Sequence, residues 1–211
     1  MLKLMEWIAK AAGLNMLWIL FTLCGFGFFG MFPATIALLM VTRDLRVGND
    51  KRIAKSFLNY YVENFVKANV YGYVFVSVNL VMITLTFHAI YQISLWFAVP
   101  IFVVTVLLFI ISLYVLPVFT YFKASFLNHV KLATVISLGH PAATFVLFSL
   151  FALNFGVIFY SRILIAFPIL FMFFMVSLSA YFVMVILLPV FNKYGRSDLL
   201  EVAEVNQVSK V

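Results

Sequence analysis

NMLWILFTLCGFGFFGMFPATIALLMV, running from Asn15 to Val41, is the stretch whose reading decides the fold. It carries no charge and exceeds the roughly twenty apolar residues that cross a bilayer core, which makes it a membrane helix. Within it, Gly25-Phe26-Gly27-Phe28-Phe29-Gly30 spells G-x-G-x-x-G, with Asp50 twenty residues beyond Gly30. A dinucleotide fingerprint needs a strand before it and a helix opening at the third glycine. Here the glycines lie inside a lipid-spanning run and Asp50 sits in a basic loop, so cofactor binding is not expected. The glycines read instead as small residues that let another helix approach. Gly27 and Gly30 share one face and Gly25 lies on the opposite one. Pro33 removes a backbone donor and clashes with the carbonyl of Phe29, so the span is expected to kink or break there.

The rest of the chain agrees with a lipid environment. Of 211 residues, 66% are hydrophobic and 10% charged, and the mean hydropathy is +1.16. Ordinary soluble domains are about 25% charged. The uncharged runs lack the alternating pattern of barrel strands, so each must satisfy its backbone within itself as a helix. The fold class is all-α, a polytopic transmembrane helical bundle. One cysteine, Cys24, cannot form an intrachain disulfide. Ala9-Lys10-Ala11 resembles a signal cleavage site but precedes the apolar run, so the first span is expected to stay as an anchor.

Residues 1–13 place Lys3, Glu6 and Lys10 opposite Leu4, Trp7, Ile8 and Ala11, an interfacial helix. The first span occupies 14–41. Arg43, Arg46, Lys51, Arg52, Lys55 and Lys67 then form a basic loop in which Ile53, Phe57, Tyr61 and Phe65 recur every four residues. That periodicity is a second amphipathic helix, with Asn49 or Asp50 as its N-cap. Further spans are expected over 69–87, 93–119, 142–159 and 163–191, five in all. With the basic loop inside, eleven Lys/Arg lie on the cytoplasmic side and three, Lys3, Lys10 and Arg162, on the other. The positive-inside rule then places the N-terminus outside and the C-terminus inside, with Arg162 snorkelling at the outer interface. The net charge of +7 is explained by membrane lipids; no nucleic acid partner is implied.

Three short matches recur in order: Ser56-Phe57-Leu58-Asn59 with Ser125-Phe126-Leu127-Asn128, Ala98-Val99-Pro100-Ile101 with Ala166-Phe167-Pro168-Ile169, and Leu116-Pro117-Val118-Phe119 with Leu188-Pro189-Val190-Phe191. They define a parallel two-span repeat over 49–122 and 123–194, followed by a cytoplasmic tail at 195–211.

All seven acidic residues lie outside the expected spans, so a carboxylate proton relay is not expected. His88, His129 and His140 fall at span ends or in a loop, solvated or lipid-facing. No spacing suits a metal or acid–base pair, and no Gly-Lys exists for a P-loop. Catalytic residues, cofactor and metal are all read as none. Asn15, Asn79 and Asn154 are read as hydrogen-bonding glue between helices.

The pattern Asn15, Trp18, Leu23, Gly25, Gly27, Pro33, Ala34 and Ala37, followed by Phe57, Tyr61, Asn64, Phe65 and Ala68, resembles the N-terminal part of the YesL-like family of bacterial membrane proteins. The resemblance implies a small multi-pass plasma-membrane protein associated with carbohydrate ABC importers. On that basis the chain is expected to act as an accessory subunit or assembly factor. It would contact ABC importer permease subunits, or a second copy of itself, through Trp18, Gly25, Gly27, Gly30 and Pro33. The alternative is an independent transporter or channel for a sugar or other small solute, with its site near Pro33, Pro100 and Pro168.

Overall fold

A computed structural model describes residues 2–49, 52–159 and 168–208. The uncharged run does not cross once. It folds into α1 (Leu2–Cys24) and α2 (Phe28–Arg46), joined by a turn at Gly25-Phe26-Gly27. Phe26 (φ 56°) and Gly27 (φ 75°) both occupy the left-handed region, where a helix cannot continue. The amides of Gly27 and Phe26 donate back to the carbonyls of Thr22 and Leu23, both at 2.9 Å. This is the Schellman closure of a helix, with Phe26 where glycine is usual.

The two helices touch backbone to backbone. A Cβ on Gly25 would lie 2.3 Å from the Gly30 Cα, and one on Gly30 would lie 2.3 Å from the Thr22 carbonyl oxygen. Farther along, the Trp18 indole donates to Thr35 Oγ1 at 3.0 Å.

The expected break at Pro33 is therefore displaced to Gly25–Gly27, and Pro33 lies buried inside an unbroken α2. A proline within a helix costs about 3 kcal/mol, partly through the carbonyl it leaves unpaired. That carbonyl belongs to Phe29, and it accepts from Asn69 Nδ2 at 3.0 Å. The interfacial helix expected over 1–13 is likewise no separate element, because nothing interrupts the backbone hydrogen bonding of α1 between Leu2 and Cys24.

α2 is the most enclosed of the candidate spans among the described residues. Ala34, Ile36, Ala37 and Leu38 are fully buried, against α1, α3 and the last helix. α3 (Ile53–His88) follows, with Arg52 as its cap in the left-handed region and no side-chain capping bond. The caps expected from the sequence differ: Asn49 lies outside the helix, and Asp50 lies outside the described residues. The amphipathic helix and the second span, expected as two elements, are one helix of 36 residues, about 54 Å long. Nothing in Val66-Lys67-Ala68-Asn69 stops it. Its buried face, Phe57, Tyr61, Asn64, Ala68 and Tyr71, keeps the helical period.

A π-helical turn, Ala89–Ile93, leads to Ser94, which caps α4 (Leu95–Tyr121) by accepting from the Trp96 amide. α5 (Phe126–Gly139) and α6 (Pro141–Phe159) meet at an elbow, bent by 102°. α7 (Pro168–Val208) completes the bundle. Among the described residues, five helices are long and apolar enough to cross a membrane: Met5–Cys24, Phe28–Arg46, Ile53–Ile93, Leu95–Tyr121 and Phe174–Gly195. Five spans were expected, but their membership differs. The first expected span supplies two of them, and the fourth, over 142–159, falls in the bent pair. Arg162 lies outside the described residues.

The asparagines hold the helices together as read from the sequence. Asn15 accepts from the amides of Val176 and Ser177 at 3.1 and 2.9 Å, joining α1 to α7. Asn79 donates to Ser112 at 2.7 Å, between α3 and α4. Asn154 donates to Ser179 at 2.9 Å, between α6 and α7. The last two bonds have one form. In each, the asparagine also donates to the carbonyl four residues back, and so does the serine.

Two outcomes test this architecture. In a Cys24→Ser chain, cysteines placed at Met5 and at Val47 should react with an impermeant maleimide from the same side of the membrane; labelling from opposite sides would restore a single crossing. Asn69→Leu should cost about 1 kcal/mol in detergent unfolding, and less in a Pro33→Ala background, where residue 33 again has an amide for the Phe29 carbonyl.

Candidate functional site

Because α1 and α2 are antiparallel, the start of one and the end of the other share the open end of the hairpin. Here the charged side chains gather. α2 ends with Arg43 and Arg46 in its last turn, where cations complement the helix dipole. The Arg43 guanidinium donates to the carbonyl of Thr120, one of the terminal acceptors of α4. It also donates to Asp44 Oδ1 at 3.2 Å. The Tyr60 hydroxyl donates to the other Asp44 oxygen at 2.6 Å. One ion pair thus links α2, α3 and α4.

Arg46 faces another way. It donates to the Tyr181 hydroxyl of α7 at 3.2 Å, with its Cζ 5.4 Å from that ring. Trp7 meets Tyr181 edge-on, with ring centres 5.3 Å apart. Between them opens a cavity of about 360 Å³, bordered by Glu6, Trp7, Lys10, Arg46 and Tyr181 and floored by apolar side chains of α1, α2 and α7.

The residues read as a partner interface are elsewhere, and mostly engaged within the chain. Gly25 and Gly30 are buried against the facing backbone. Gly27 serves the turn through its positive φ. Trp18 bonds to Thr35, and Pro33 is buried. The glycine stripe is thus not an open face, because the chain doubles back and covers it with its own helix. What the hairpin exposes is its tip: Leu23, Phe26, Phe28 and Phe29. Of the prolines named for a transport site, Pro33 is buried in α2, Pro100 is exposed on α4, and Pro168 opens α7.

His129, read as solvated or lipid-facing, is buried. Its Nε2 lies 2.8 Å from the Phe122 carbonyl and its Nδ1 lies 2.7 Å from the Tyr71 hydroxyl. A carbonyl only accepts, so Nε2 donates to Phe122, and in the neutral ring Nδ1 then accepts from the tyrosine hydroxyl. The period from His129 to Ala133 and Ile136, both buried on the same helix, was the available signal. His88 is exposed, and the His140 ring packs against Tyr194. Among the described residues, no group of three His, Cys, Asp or Glu could hold a metal.

Architecture and composition define a multi-pass α-helical membrane protein. The family model described as "Protein of unknown function, DUF624" matches residues 11–85, which cover most of α1, all of α2 and nearly all of α3. Three Bacillus subtilis (strain 168) proteins, each described only as uncharacterized, are similar in sequence. YesV is 32% identical over 179 residues, 79% of this chain and 86% of YesV. YesL is 31% identical over 140 residues, 65% of this chain and 66% of YesL. YteU is 39% identical over 83 residues, 39% of this chain and 37% of YteU. The chain belongs to this YesL-like, DUF624 family. No solved structure matches it.

The linking role of Asp44 is measurable. A double-mutant cycle of Asp44→Asn and Tyr60→Phe should show a coupling of about 1 kcal/mol in detergent unfolding, whereas additive effects would mean that the 2.6 Å contact carries no net stability.

Proposed function

We propose that the protein is an accessory membrane subunit or assembly factor of a bacterial carbohydrate ABC importer. Kinship with YesV and YesL supports this through the association that the family resemblance implies. The observation that carries it is how the polar groups of the helices are used. Asn15, Asn79, Asn154 and the pair Thr86–Thr105 bond from helix to helix, which suits a scaffold that holds its shape for a partner. With the glycine face covered, the contact with permease subunits moves to the aromatic tip at Phe26, Phe28 and Phe29.

The protein sits in the plasma membrane with the open end of the hairpin and the C-terminus cytoplasmic. On this reading the bent pair of α5 and α6 makes a sixth crossing, and the N-terminus is cytoplasmic too, contrary to the orientation that a single crossing requires. The cytoplasmic count of eleven basic residues then gains Lys3 and Lys10, which strengthens the positive-inside bias.

A second reading, an independent transporter or channel, draws on one observation: the matched Asn–Ser bonds of α3–α4 and α6–α7. They suit two copies of one hairpin unit, a design common among transporters.

Purification in mild detergent with mass spectrometry of co-eluting proteins separates the readings. Permease subunits should co-elute with the wild type and be lost from a Phe26→Ser, Phe28→Ser variant. A protein that elutes alone, and moves a sugar or ion in liposomes, would overturn the subunit reading in favour of the second.

A further inference from the structure

We propose that the cavity at the open end of the hairpin seats an anionic phospholipid. Its phosphodiester lies between Lys10 and Arg46, and an acyl chain runs over Ala11, Leu14 and Leu178.

Three features of the cavity converge on this ligand. The first is depth. Charged residues on α1 end at Lys10 and those on α2 begin at Arg43, with no charge between them. The cavity, bordered by Lys10 and Arg46, therefore sits where two apolar helices emerge into the headgroup layer, the usual level of Trp, Tyr and basic side chains.

The second feature is charge and its orientation. Two cations from different helices meet one acid, Glu6, at the same cavity. Arg46 is held by the hydroxyl and ring of Tyr181, and that ring is braced edge-on by Trp7. The bond to Tyr181 uses one of five guanidinium donors. A positioned guanidinium recognises a phosphate with two parallel hydrogen bonds.

The third feature separates an anionic amphiphile from a neutral sugar. A sugar needs several neutral donors and acceptors around it. Of the three hydroxyls at the cavity, those of Thr42 and Ser177 donate instead to carbonyls of their own helices, Leu38 and Phe174, and that of Tyr181 accepts from Arg46. Lys10 and Arg46 bring positive charge to the cavity, and Ala11, Leu14, Leu45 and Leu178 supply an apolar floor that a free phosphate would not use.

The test is lipid retention by the full-length protein in detergent, read by native mass spectrometry after exposure to equal phosphatidylglycerol and phosphatidylcholine. Phosphatidylglycerol should be retained preferentially, and Lys10→Gln, Arg46→Gln should lower that preference about tenfold, the scale of one charge-assisted contact. Lys55→Gln, on the exposed start of α3, should leave it unchanged. Equal loss in the Lys55 variant would mean general charge attraction and overturn the site. Displacement of the lipid by millimolar glycerol phosphate would show a soluble phosphate ester as the ligand and overturn the lipid assignment; displacement by a neutral sugar would overturn the anionic one. Should the double variant fail to keep its helicity, Tyr181→Phe, which keeps the ring but removes the hydroxyl that orients Arg46, should still weaken retention. Unchanged retention there would count against the geometry.

Discussion

The close approach of α1 and α2 at Gly25 and Gly30 is the contact on which the remaining arrangement rests. With the facing backbone 2.3 Å from where a Cβ would stand on either residue, even alanine would force the helices apart. That separation would move α2 away from Trp18 and change the seat of Ala34, Ala37 and Leu38. These buried side chains are where α3 and α7 pack. Lipid is as apolar as leucine, so association of membrane helices depends on fit and hydrogen bonding rather than on expulsion of water. A short interhelical distance at one point therefore carries consequences that a soluble core would absorb more easily.

Polar groups in the helices follow the same economy. Pro33 leaves the Phe29 carbonyl without its amide, and Asn69 of α3 supplies one. α4 ends with carbonyls that Arg43 and His129 satisfy at Thr120 and Phe122. In each case the disturbance and its remedy belong to different helices, so the bundle is linked at the very places where its helices are weakest.

This explains what could be read from the sequence and what could not. Helical class, membrane location and the role of the asparagines follow from composition and from the cost of an unpaired amide in hydrocarbon, which are local properties. The position of the first break is not local. A kink at Pro33 is the right inference for an isolated helix, but Asn69 removes one of its causes, and the left-handed pair Phe26-Gly27 supplies a sharper stop. The glycine stripe was legible as a close-packing surface; that its occupant is the same segment folded back depends on the turn. The burial of His129 is non-local in the same way, since its partners, Tyr71 and Phe122, belong to α3 and to the residue that follows α4. The cluster of Trp7, Lys10, Arg46 and Tyr181 joins three helices and leaves no trace in any one of them.

The hairpin also bears on the order in which the chain is assembled. Its bonds, from Gly27 to Thr22 and from Trp18 to Thr35, join residues close in sequence, so loop closure costs little entropy. α1 and α2 can pair as soon as both have left the ribosome, before α3 is complete, and enter the bilayer as one unit. α7, whose contact with Asn15 closes the bundle across nearly the whole chain, must arrive last. An early helical pair thus waits as a template for the later ones, and a chain stalled in that interval would present the buried face of α2 to whatever membrane protein lies nearest.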